Sequence, residues 1–168
     1  GQLDARTVSG NGGNIFARSD LGNISTSYIA TFAKNTIGNS GNAGSVTLTA
    51  PFGNITVNDP VGILASSSAG DSGIAPLVAG DGGVVNIFAS GSVTINGWID
   101  TRSETAVNGS NSQAGRGGNI SVIGDDDVHI NGRLISLSLA REGATQERLP
   151  GSSADVGGNI TIRSGGDI

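Results

Sequence analysis

The sequence predicts an all-β fold, a solenoid in which short strands wind into about five stacked coils. Three observations point there. Near-identical openings recur at Gly12 to Ile15, Gly117 to Ile120 and Gly157 to Ile160 (GGNI each time), with degenerate copies at Gly44-Ser45-Val46 and Gly82-Gly83-Val84-Val85. The glycines that precede each following strand, Gly13, Gly44, Gly83, Gly118 and Gly158, lie 31, 39, 35 and 40 residues apart, and self-similarity at that period marks stacked supersecondary units. After each glycine, apolar and polar residues alternate with period two, the pattern of a half-buried strand, whereas helix formers in periodic array are nearly absent.

Within each repeat the first strand carries its inward pair two residues apart: Ile15 and Ala17, Val46 and Leu48, Val85 and Ile87, Ile120 and Val122, Ile160 and Ile162. Asn14, Thr47, Asn86, Asn119 and Thr161 then face outward, because successive side chains of a strand alternate. A second strand starts eight or nine residues on, with inward pairs Ile24 and Thr26, Ile55 and Val57, Val93 and Ile95, and Val128 and Ile130. Ile168 starts a fifth. A third strand follows the Asn96-Gly97 and Asn131-Gly132 dipeptides, which suit tight corners through positive backbone angles. Its inward residues are Ile99 with Thr101 and Leu134 with Ser136, and by alignment Ile29 with Thr31 and Ile63 with Ala65. Three short strands make a triangular coil.

After the third strand each repeat departs into a loop of variable length, about Phe32 to Ala43, Ser67 to Asp81, Arg102 to Arg116 and Leu137 to Val156. All length variation therefore falls at one corner of the coil. The stretch Ile74 to Ala79 is too apolar to float freely and is expected to lie along a solenoid face, with an intermolecular patch as the alternative. Leu139 to Leu149 offers one helical turn limited by Gly143 and Pro150. At about 4.8 Å per coil the stack is roughly 25 Å tall.

Residues 1–168 form a single solenoid segment. Gly1 to Arg6 aligns with Gly97 to Arg102, so the chain is expected to begin inside a third strand and end inside a second, as a stretch of a longer array. The absence of methionine points the same way, to a processed or excised piece. Open rungs also predict a second possibility, neighbouring chains stacking end to end.

Composition narrows the function. With 36% hydrophobic and 14% charged residues among 168, the chain packs a core rather than remaining a solvated coil. A net charge of −5 with scattered basic residues opposes a nucleic-acid partner, which needs clustered Lys and Arg. No apolar run approaches the roughly 20 residues of a membrane span. Zero cysteines remove disulfides and thiolate metal sites. No cofactor is implied.

The sequence of GGNI, then Gly91-Ser92-Val93-Thr94-Ile95-Asn96-Gly97, then Ile99-Asp100-Thr101, resembles the repeats of filamentous-haemagglutinin-type exoproteins, including large cyanobacterial members exported by two-partner secretion. The resemblance covers nearly all of the chain except the excursions. It implies a right-handed parallel β-helix, an extracellular or cell-surface location of Gram-negative type, an outer-membrane transporter as export partner, and work in adhesion, aggregation or biofilm formation. The family's amino-terminal secretion domain is not recognisable in these residues.

Three features are candidates for chemistry. Asn14, Asn119 and Asn159 recur at one outward position and suit a hydrogen-bonded ladder or solvated corners. Asp125, Asp126, Asp127 and His129 form the densest polar cluster, read as a solvated corner, with metal binding or carboxylate catalysis as the sharper alternatives. Trp98 and Tyr28 occupy aligned outward positions two coils apart, fit either to stack on a sugar ring of a glycan receptor or to pack beneath a neighbouring excursion. His129 is the only histidine and no Gly-x-Ser-x-Gly elbow accompanies it. These readings favour a structural or adhesive rod segment, not an enzyme; a filament subunit that stacks end to end is the alternative, and a polysaccharide-active β-helix enzyme is a third, weaker one.

Overall fold

The computed structural model describes residues 1–70, 76–105, 111–140 and 152–168. In it the chain is a β-solenoid whose strand pairs are all parallel, stacked in five faces. The first face stacks Ile15–Arg18, Val46–Ala50, Val85–Ala89, Ile120–Gly124 and Ile160–Ser164. The second stacks Ile24–Thr26, Ile55–Val57, Val93–Ile95 and Val128–Ile130. The third holds Leu3–Asp4, Ile29–Ala30, Gly62–Leu64, Trp98–Asp100 and Leu134–Ile135. Register is in phase from coil to coil: Leu3 pairs with Ile29, Ile29 with Ile63, Ile63 with Ile99 and Ile99 with Leu134.

The inward residues read from the alternation form the core. Val46, Leu48, Ile55, Val57, Ile63, Val85, Ile87, Val93, Ile95, Ile99, Ile120, Val122 and Val128 make one buried cluster with Ile29. Ile160 is 44% exposed because it lies on the last rung of its face, with a neighbour on one side only.

Two expectations need correction. Among the described residues each complete turn has five strands rather than three, and three turns are complete, flanked by partial ones, where about five coils were expected. The excursions are the source of the extra strands. Ala33–Asn35, Ser67–Ala69, Ser103–Thr105 and Ser138–Ala140 form a fourth face, and Val78–Ala79, Gln113–Ala114 and Ser153–Ala154 a fifth. They build a side lobe on the triangular coil. Leu77 and Ala79, each 2% exposed, join Ala69 in a small second core, so the Pro76 to Ala79 stretch does lie against the solenoid, while Ile74 and Ala75 fall outside the described residues. Of the Leu139 to Leu149 stretch expected to offer a helical turn, Leu139 and Ala140 belong to a strand and the rest falls outside the described residues.

A polar waist separates lobe from coil and explains the paired glycines. The amides of Gly13, Gly44, Gly83 and Gly118 donate to the carbonyls of Ala5, Thr31, Ala65 and Thr101 at 2.7 to 2.8 Å, closing each triangle at the end of its third strand. The buried Thr31 and Thr101 hydroxyls donate back to the Gly44 and Gly118 carbonyls at 2.6 and 2.7 Å. A Cβ on Gly82 would lie 1.8 Å from the Thr101 oxygen across the waist, and one on Gly118 would lie 2.0 Å from the Gly83 oxygen of the rung before it. The first glycine permits the closure and the second permits the stacking.

Corner chemistry differs from expectation in the same way. Gly97 and Gly132 do not have positive φ; among the described residues that conformation occurs at Gly10, Gly38, Gly62 and Asn111. Glycine is needed at these corners for close approach: a Cβ on Gly132 would lie 2.2 Å from the Gly97 oxygen, and one on Gly97 2.3 Å from that of Asp59. No helix of the described residues is long and apolar enough to cross a membrane.

Candidate binding groove

Where the third face turns into the fourth, the outer surface is concave. Strand alternation continues through this bend, so Trp98, Asp100, Arg102 and Glu104 all face out while Ile99, Thr101, Ser103 and Thr105 are fully buried. Register places Tyr28, Gly62, Trp98 and Arg133 in one axial column and Ala30, Leu64, Asp100 and Ile135 in the next. A third column holds Arg6, Phe32, Ser66, Arg102 and Leu137, and a fourth holds Lys34, Ser68, Glu104 and Leu139. The middle rung is thus built from Gly62, Leu64, Ser66 and Ser68, and the rungs on either side carry larger side chains in three of the four columns, Leu64 being larger than Ala30 and Asp100. The result is a trough of about 430 Å³, lined chiefly by Phe32, Lys34, Leu64, Trp98, Arg102 and Glu104.

Charges in the trough are held by one another. The Arg102 guanidinium donates from Nε to Asp100 Oδ2 at 2.8 Å and from Nη2 to the same oxygen at 2.6 Å, while Nη1 reaches Glu104 Oε2 at 3.1 Å. The Arg102 amide also donates to Asp100 Oδ1. Hydrogen bonding to Asp100 raises the Arg102 pKa above its ordinary value, partly opposed by burial. Asp100 is 3% exposed and its two oxygens accept from the Arg102 backbone amide, from Nη2 and, shared between them, from Nε, so it anchors the guanidinium. The aligned Asp4 and Arg6 pair likewise at 3.0 Å, in a more exposed setting.

Trp98, one of the expected contact residues, lines the trough at 41% exposure. Among the described residues, the Arg133 guanidinium sits 5.5 Å over its ring, a cation–π contact. Tyr28 lies two rungs away in the same column, as the alignment implied, and is half-buried, with its hydroxyl pKa raised chiefly by desolvation. Phe32 has its own cation, Arg6, 5.7 Å over the ring.

The Asp125 to His129 cluster is elsewhere, on the corner leading into the second face. Asp127 is a member of the column Asn23, Asn54, Ser92, Asp127 and Asp167, and its Oδ1 accepts the Asp167 amide at 2.9 Å. Asn54 does the same for Ser92 at 2.7 Å and Asn23 for Asn54 at 2.8 Å. Asp125 and Asp126 are exposed at the turn, where the Asp126 carbonyl accepts the Gly165 and Gly166 amides, and His129 points out of its strand beside Thr94. Among the described residues no group of three or more His, Asp or Glu side chains is placed to hold a metal ion. Of the outward asparagines, Asn14 accepts the Ser45 amide and Asn119 the Asn159 amide, each at 2.8 Å. They cap the next rung rather than pairing side chain to side chain.

Sequence reasoning missed Lys34, Phe32, Asp100, Arg102 and Glu104. The signal was present: alternation runs unbroken from Trp98 to Thr105, but its inward residues change from Ile to Thr and Ser, which read as a loop. The chain matches no family model, no curated protein and no solved structure.

Proposed function

We propose that the chain is a stiff, non-enzymatic segment of an extracellular adhesive rod, of the kind implied by the filamentous-haemagglutinin-type repeat pattern. The observation that supports it best is the in-phase register of every rung. Side chains of one coil cap the backbone of the next through Asn11, Asn14, Asn23, Asn42, Asn54 and Asn119, so bending between coils would break hydrogen bonds at several corners together. Such a stack resists bending along its axis while leaving its outward residues free to vary, a division suited to a surface rod. Electron microscopy of the longer exoprotein tests the reading: an elongated rod supports it, and a compact globule overturns it. Sedimentation separates it from the filament alternative, since a monomer at all concentrations excludes end-to-end stacking.

A further inference from the structure

We propose that the trough over Gly62, Leu64, Ser66 and Ser68 is a binding site for a neutral oligosaccharide, laid across the solenoid axis and stacked on Trp98. The proposal stands apart from the rod reading, because it concerns one surface of the chain. It rests on which face of each aromatic is free. Arg133 belongs to the rung after Trp98 and lies over its ring, so the opposite face of the indole looks back over Gly62, which has no side chain of its own, into the trough that Val61 and Leu64 also line. Arg6 belongs to the rung before Phe32 and lies over that ring, so the free face of Phe32 looks forward over Ser66. Each arginine backs an aromatic from outside the trough, and both free faces turn inward.

The dimensions suit a ring. Two rung spacings separate Phe32 from Arg102, and Lys34 from Glu104, about 10 Å in all. A ring at van der Waals distance, about 4 Å from a group on each side, fills that gap. The floor supplies hydroxyls at Ser66 and Ser68, and Glu104 with Lys34 marks the far end. A sugar presents apolar C–H faces to the aromatics and hydroxyls to these groups.

Other occupants fit less well. A peptide cannot add as a strand, since the middle rung is already paired on both sides, with Ile29–Ala30 and Trp98–Asp100 on one face and with Ala33–Asn35 and Ser103–Thr105 on the other. A polyanion finds little free charge: Arg102 is neutralised by Asp100 and Glu104, leaving Lys34 against a chain of net charge −5.

The test is an array of neutral hexose and N-acetylhexosamine oligosaccharides together with sulfated glycans, followed by calorimetry of the retained sugars at low and high salt. Trp98 is the only tryptophan, so its fluorescence reports occupancy in the unmodified chain. The expected result is a retained neutral oligosaccharide that shifts this emission and binds almost equally at both salts. Trp98→Ala should weaken binding by about tenfold or more, Ser66→Tyr should block the trough from its floor, and Phe16→Ala, on another face, should change nothing. Retention of no neutral sugar overturns the proposal. So does binding without a change in Trp98 emission, binding that survives both trough variants, or retention of sulfated glycans alone with affinity lost in salt.

Discussion

Replacing Asn54 with alanine removes one rung-to-rung cap and nothing else of consequence. The Asn54 side-chain oxygen accepts the Ser92 amide at 2.7 Å across a 38-residue separation, while its own amide donates to Asn23 at 2.8 Å. Alanine keeps the second bond and leaves the partly covered Ser92 N–H without the first. One neutral hydrogen bond of this kind is worth about 1 kcal/mol. Spread over 168 residues at an unfolding entropy of about 2.1 cal/mol/K per residue, that corresponds to a fall in Tm of about 3 °C. Aspartate provides the needed control, because Asp127 already performs this task for Asp167. Asn54→Asp should therefore stay within about 0.5 kcal/mol of the parent at moderate salt, where its added surface charge is screened. Urea unfolding, fitted with a common m-value, and calorimetric melting measure both variants. If alanine matches asparagine, or aspartate is as damaging as alanine, the capping account fails. The doubly substituted Asn54→Ala, Asn119→Ala chain should lose about 2 kcal/mol, since the two caps lie in different columns and share no partner.

Gly118→Ala should cost more than 3 kcal/mol or abolish folding, with the new Cβ 2.0 Å from the Gly83 oxygen, whereas Gly22→Ala, whose nearest atom would be 4.0 Å away, should be tolerated; soluble yield and urea midpoints decide it. Ile95→Ala empties a fully buried central position and should lose about 2 to 5 kcal/mol, while Ile37→Ala, 74% exposed, should be neutral by the same measurement. Asp100→Ala should destabilise by about 2 kcal/mol, because the half-buried Arg102 then keeps Glu104 as its one ion-pair partner, against less than about 0.5 kcal/mol for the more exposed Asp4→Ala. The Asp155 carboxyl is held below its ordinary pKa, first by the Val156 amide and, after an opposing desolvation contribution, by Arg116; its link is present above the ordinary carboxylate range and is lost as pH falls through the depressed value. Titration by NMR should show that midpoint rising in Arg116→Ala but staying below the ordinary value.

The triangular coil was legible because its signals are local. Glycine pairs, period-two alternation and the inward Ile and Val residues each follow from backbone geometry within a few residues, and the third-strand pairs Ile29 with Thr31, Ile63 with Ala65 and Ile99 with Thr101 are all buried. The side lobe was not legible, since its inward column runs Ala33, Ser67, Ser103 and Ser138. A buried serine reads as a loop residue until its partner is known. Ser67 bonds Ser40 at 2.7 Å and the Gly41 carbonyl at 2.8 Å, and Ser103 bonds the Gly80 carbonyl at 2.7 Å. Those partners lie 23 to 27 residues away, beyond the reach of a pattern read along the chain. The candidate site split along the same line: Trp98 and Tyr28 stood out as aromatics at aligned positions, while Asp100, Arg102 and Glu104 were hidden in what looked like the start of an excursion.

The arginines over Trp98 and Phe32 show how the lattice of columns makes a concave site without disturbing the core. Stacking forces like positions of successive coils into contact about 4.8 Å apart, so a large outward side chain is always flanked by the residues one rung away. A trough needs one rung to be small where its neighbours are large. Gly62, Ser66 and Ser68 meet that condition between Tyr28, Phe32 and Lys34 on one side and Trp98, Arg102 and Glu104 on the other, while Leu64, opposite Ala30 and Asp100, forms part of the floor. The inward residues of the same strands, Ile63, Ala65, Ser67 and Ala69, are all 0% exposed and keep the same ladder positions as those of their neighbours. Because period two separates the two sets completely, enlarging Ser66 should close the trough while leaving the unfolding free energy within about 0.5 kcal/mol of the parent. A large loss of stability in Ser66→Tyr would mean that outward columns are coupled to the core, and that the trough cannot vary independently of the fold.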